Sequence, residues 1–70
     1  MGVEIFKTDI TKRSSAKKIE QLLLNRFPDS KINFDLEDCD NILRIETKSI
    51  VVQQIEQLVN NQGHYCQVLY

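Results

Sequence analysis

Val3 to Thr8 is rich in β-branched and aromatic residues, which suit a pleated, half-buried surface and predict a first strand. Thr11 to Ser15 is polar and turn-like. Thr11 or Ser14 is placed to cap the helix that follows, because a hydroxyl there accepts hydrogen bonds from the first free N–H groups of a helix. From Ala16 the period changes. Ala16, Ile19, Leu22, Leu23 and Phe27 recur at helical spacing and draw one apolar stripe. Pro28 ends that helix, since the residue before a proline is pushed away from helical angles. Ile32, Phe34 and Leu36 then alternate with Asn33, Asp35 and Glu37, the pattern of a half-buried strand. Asp38, Cys39, Asp40 and Asn41 supply the turn residues of a hairpin, and Leu43, Ile45 and Thr47 alternate in the return strand. Ser49 is a candidate N-cap for a second helix whose buried stripe is Val52, Ile55, Leu58 and Val59. Gly63 stands where a left-handed residue stops it. Cys66, Val68 and Tyr70 alternate in a last short strand.

The predicted order is β-α-β-β-α-β. Each helix has one apolar stripe and each strand is one-sided, so both helices are expected on one face of a four-stranded antiparallel sheet. That is an α+β, ferredoxin-like sandwich. Following the chain up and down through those elements puts three connections at one end: the loop around Thr11, the hairpin at Cys39 and the turn at Gly63 and His64. A functional end, if the domain has one, is expected there.

Composition narrows the classes. Residues 1–70 are read as a single domain. Domains of this size bury only about 60% of the surface that their unfolded chain exposes, which leaves little room for an enclosed active site. The net charge of −1 argues against a general nucleic-acid binder, which carries a strong basic excess. Two cysteines, Cys39 and Cys66, far apart and outside any Cys-x-x-Cys pair, are too few for a secreted disulfide framework and read as reduced thiols. No apolar run approaches the roughly 20 residues of a membrane span. The N-terminus has no basic start leading into an apolar stretch, as a signal peptide would. Phe6 stands where myristoylation needs Ser or Thr. These features lead to the expectation of a cytoplasmic protein without membrane contact.

The segment Phe6-Lys7-Thr8-Asp9-Ile10-Thr11-Lys12-Arg13-Ser14-Ser15 is similar to the first loop of heavy-metal-associated, copper-chaperone-like domains. There a strand runs into Met-Thr-Cys-x-x-Cys and then into a helix carrying Ile-Glu. With Ile19-Glu20 on that helix, Ile10 falls on the methionine, Thr11 on the threonine, Lys12 on the first cysteine and Ser15 on the second. Gly63-His64-Tyr65-Cys66-Gln67-Val68-Leu69 resembles the closing Gly-Tyr-x-Ala-x-Val segment, with His64 in place of the aromatic. The resemblance spans nearly the whole chain in element order and implies the same fold. It also implies a lost metal site. The family holds a soft monovalent ion such as Cu(I) on two thiolates. Ser15 offers a hydroxyl that stays protonated, and Lys12 puts a fixed positive charge where the cation would sit. No cofactor or metal is therefore expected at these positions.

Lys12, Arg13, Lys17 and Lys18 crowd the start of the first helix, where positive charge opposes the helix dipole at a cost of a few tenths of a kcal/mol each, up to about 1. With Ser15 they read as a docking surface for an acidic protein, or as a solvated face balanced by nearby acids. Lys12, Ser14 and Ser15 at a helix N-terminus also suit an anion, although no glycine-rich cradle accompanies them. Asp35, Glu37, Asp38 and Asp40 crowd the hairpin. They lack the spacing and the turn glycine of a calcium loop, and balance the basic loop within a monomer or across a weak dimer. Cys39 and His64 are acceptable ligands for copper or zinc at the same end, but two ligands beside Lys12 make a poor site; a surface thiol and a solvated histidine describe them more simply. Cys66, in phase with Val68, reads as core. An enzyme is not expected, given one histidine and no readable Cys-His or Ser-His-Asp spacing. An RNA reader would stack bases on aromatics of its central strands, and Asn41 to Thr47 has none. The expected role is non-catalytic protein binding through the loop-one end. The alternative is a metal carrier using Cys39 and His64.

Overall fold

Six elements are present in the computed structural model, which describes residues 2–37, 41–48 and 51–69. They are β1 (Gly2–Thr8), α1 (Arg13–Arg26), β2 (Lys31–Asp35), β3 (Ile42–Thr47), α2 (Val52–Asn61) and β4 (Cys66–Leu69). The strands form one sheet in the order β2-β3-β1-β4, and each neighbouring pair is antiparallel. The result is a small α+β fold, four antiparallel strands and two helices, compatible with a ferredoxin-like sandwich.

The register explains which side is covered. Residues directly opposite one another in an antiparallel pair point to the same face. Phe34 opposes Leu43, Leu43 opposes Phe6, and Phe6 opposes Val68, so one apolar row crosses all four strands. Ile32 with Ile45, and Thr8 with Cys66, add to the same face. Ala16, Ile19 and Leu23 of α1 and Ile55 and Val59 of α2 join Phe6, Leu43, Ile45, Cys66 and Val68 in one buried cluster. The opposite face carries Val3, Ile5 and Leu69 among Lys31, Arg44 and Glu46, and its apolar members stay exposed.

Helix ends follow the chemistry of the backbone, with one departure from the sequence pattern. The N-cap of α1 is neither Thr11 nor Ser14 but Lys12, which is extended at φ −106° and ψ 139° and makes no side-chain cap. Its carbonyl already accepts the Ala16 N–H at 3.0 Å, so Ser14 lies inside the first turn and Thr11 outside it. The cause is packing. Burying Ile10 completely is worth roughly 1.5–3 kcal/mol, more than the ~1 kcal/mol of a hydroxyl cap, and Ile10 is fully buried. At the other end α1 stops at Arg26, before Pro28, and Ser30 Oγ donates to the Phe27 carbonyl at 2.6 Å. Ser49 lies outside the described residues; the N-cap position of α2 belongs to Val51. Gly63, at φ +85°, ends α2 as the pattern predicts. Its N–H donates to the Asn60 carbonyl at 2.9 Å and the His64 N–H to the Val59 carbonyl at 3.4 Å, the paired bonds of a Schellman motif.

Cys66 is buried beside α2. Burial first, and the negative charge of Glu56 second, push its thiol from 9.0 up to about 12. The unfolded chain releases this proton near its ordinary value and the folded chain retains it. The stabilisation is therefore complete below about pH 9 and is lost as pH rises towards about 12. In urea titrations from roughly pH 8 to pH 11, Cys66→Ala should lose stability less steeply than the unaltered chain, so that the gap between the two changes with pH. Parallel profiles would show that the thiol proton has no such linkage.

Candidate functional site

Three connections meet at one end of the sheet, and two adjacent residues at the end of β1 fasten them. The Thr8 hydroxyl donates to the Asn41 carbonyl at 2.6 Å, at the base of the β2–β3 connection, and accepts the Ile10 N–H at 3.1 Å. Asn41 itself adopts a left-handed conformation with φ 50°, which asparagine tolerates better than most residues. Asp9 reaches the other way. Its Oδ1 accepts the Tyr65 N–H at 2.9 Å and lies 3.1 Å from His64 Nδ1, across the turn between α2 and β4. The sequence directions place these loops together. The fastening is a matter of two side chains that pair 33 and 56 positions away, which no local pattern reveals.

This end carries the basic residues. Lys12 holds the N-cap position, Arg13 opens α1, and Lys17 and Lys18 follow one turn later. All four are exposed, and Ser15 is half-buried. The first turn of α1 contains no acid. Among the described residues none of the four cations pairs with a carboxylate. Among the described residues, then, the balance by neighbouring acids is not made by direct contact; Asp38 and Asp40 lie outside them. Lys12 and Arg13 sit where the helix dipole is positive, so their placement works slightly against helix stability.

Other chemistry at this end is sparse. Among the described residues no group of three or more His, Cys, Asp and Glu side chains is gathered for a metal ion. Lys12 and Ser15 offer no sulfur. His64 has its Nδ1 on Asp9 and is 26% exposed. Cys39, with Asp38 and Asp40, lies outside the described residues, so the pairing of Cys39 with His64 that the sequence suggests is outside them too. No helix of the described residues is long and apolar enough to cross a membrane.

Beside the basic cluster lies a feature that the sequence does not show. A groove of about 310 Å³ runs between α1 and β2. Arg13, Lys17 and Glu20 line it from the helix, and Ile32 and Phe34 from the strand. It exists because β2 stands at the sheet edge while α1 leans across it, a juxtaposition of two elements and not a property of either.

Asp9 can be tested for its fastening role. Asp9→Ala should speed hydrogen exchange at the Tyr65 amide and cost about 1 kcal/mol in a urea titration, the ordinary worth of a partly exposed hydrogen-bonded group. Unchanged exchange at Tyr65 would mean that the turn is held without it.

No family model matches the chain, and no curated protein matches it.

Proposed function

We propose that this chain is a heavy-metal-associated-type domain of the ferredoxin-like class whose first loop no longer serves a metal. It works as a non-catalytic protein-interaction module that docks an acidic partner through the loop-one end, with Lys12, Arg13, Lys17 and Lys18 as its contact charges. The element order β-α-β-β-α-β and the strand order support the fold assignment. The observation that carries the function is the cluster of four exposed cations without acidic partners among the described residues, at the end where three connections are tied together. A fastened scaffold keeps such charges in register, and complementary charge chiefly sets encounter rate and specificity. A non-catalytic role fits the side chains present: His64 is engaged by Asp9, and the Cys66 thiol is buried and held protonated.

One observation favours a second reading, a copper or zinc carrier using Cys39 and His64. Asp9 on His64 Nδ1 would fix the ring and leave Nε2 for a ligand, as carboxylates do behind many metal-bound histidines. Against it stand the small number of ligands and the cations that share this end.

The docking reading predicts a sharp response to charge reversal. Lys17→Glu with Lys18→Glu should preserve the circular dichroism spectrum and melting profile. At low salt it should weaken binding to a poly-glutamate probe by at least about tenfold, or ~1.4 kcal/mol. Equal affinity of the two proteins would rule out these lysines as contact charges.

A further inference from the structure

The two edges of the sheet are not alike. At β4 the Val68 N–H, which would otherwise be open to a further strand, donates to Glu56 Oε2 of α2 at 2.9 Å. At β2, among the described residues, no side chain hydrogen-bonds to the outer backbone of 31–34 as Glu56 does to β4. An uncovered edge is a row of unpaired N–H and C=O groups, ready to pair with another chain. Next to it runs the groove of about 310 Å³, with half-buried Ile32 and Phe34 on the strand side. That volume is at the small end of ligand sites, roughly 300–1,000 Å³, and is enough for one or two side chains of a bound segment. Arg13 and Lys17 are four residues apart and so share one helix face above it. Glu20 lies seven residues beyond Arg13, roughly 10 Å along the axis, and gives the groove a direction in charge.

We infer that an extended acidic segment of a partner protein adds to β2 as a fifth strand. One apolar side chain seats against Ile32 and Phe34, and a carboxylate meets Arg13 and Lys17. This rests on the docking reading and goes beyond it by naming the conformation of the partner, its edge and its side-chain pattern. Successive side chains of a strand alternate between faces, so every second residue of the added strand faces the groove. Main-chain hydrogen bonds then supply affinity, while the groove and its charges supply choice. Glu20 repels an acid at the far end, so the carboxylate belongs at the loop-one end. The contact is small, and the complex is weak and transient.

The test uses the whole chain, isotopically labelled for amide NMR, and three short synthetic peptides. The first carries valine and glutamate in turn at every second position, with threonine between them, so that one face presents both; the second replaces each glutamate with lysine, and the third is the first with alternate backbone nitrogens methylated. The first should move the amides of Ile32, Asn33 and Phe34 together with those from Arg13 to Glu20. The second and third should bind at least about tenfold more weakly, since one lacks the charge and the other the strand hydrogen bonds. Equal binding of the first and third peptides, with the second still weak, would overturn strand addition and leave acidic docking standing. Equal binding of the first and second would overturn the docking reading and this inference together. Shifts confined to β4 or to the exposed sheet face, or β2 amides that move with protein concentration alone, would also overturn strand addition, the last by showing that a second copy takes the edge.

Discussion

The row Phe34, Leu43, Phe6 and Val68 is the constraint on which the remainder of the structure depends. It crosses every strand, and Phe6 at its centre is fully buried. A slip of one residue at β1 would turn Phe6 out and bring Ile5 or Lys7 in, moving the whole inner set to solvent. The inner position of Phe6 in β1 and the alternation along β3 therefore determine register as well as strand identity. In so short a chain the buried cluster has little redundancy, and both helices must deliver their stripes to this one face.

The same register sets the position of the end of β1. Thr8 is the last inner-facing residue of that strand, and Asp9 follows it out of the sheet. Because Phe6 is held, Thr8 meets the Asn41 carbonyl and Asp9 meets the backbone of Tyr65. Buried Ile10 then commits the path into α1. The loop thus arrives at Lys12 and Arg13 with its backbone anchored on both sides. Cations at a helix start oppose its dipole, and the first turn of α1 holds no acid to compensate them. Packing tolerates that small cost, and a partner or anion is what would offset it.

Much of this was legible in the chain. Period two in β3 and the helical stripes at Ala16, Ile19 and Leu23 and at Ile55 and Val59 are local patterns, and burial follows them closely. In β1 the composition marks a strand but not its inner face: Val3 and Ile5 are exposed and Thr8 is buried, because pairing with β3 and β4 puts Phe6 inside. Gly63 was legible because its left-handed backbone is a local demand. The α1 cap was not. Thr11 and Ser14 both carry hydroxyls, but the choice is made by Ile10 and Ala16 reaching the core, a tertiary effect. The candidate site divides similarly. Its basic residues are visible as composition and place, whereas the bonds from Asp9, the covering of β4 by Glu56 and the groove beside β2 join elements distant in sequence. Cys39 falls outside the described residues, so its expected role is neither supported nor opposed, whereas the α2 N-cap expected of Ser49 is taken by Val51.

The docking proposal treats this fastened end as a cationic surface and not as a metal site. On the proposed heavy-metal-associated alignment, Lys12 would place a positive charge where a thiolate is needed, and soft ions require soft, deprotonated sulfur. The most direct measurement is a Cu(I) and Zn(II) titration of the reduced protein against a competing chelator, followed through the backbone amides. No competitive uptake, with the amides from Ile10 to Ser15 and of His64 unmoved, is the expected result. Stoichiometric uptake with shifts at His64 and Cys39 would contradict it and make this end a rebuilt metal site.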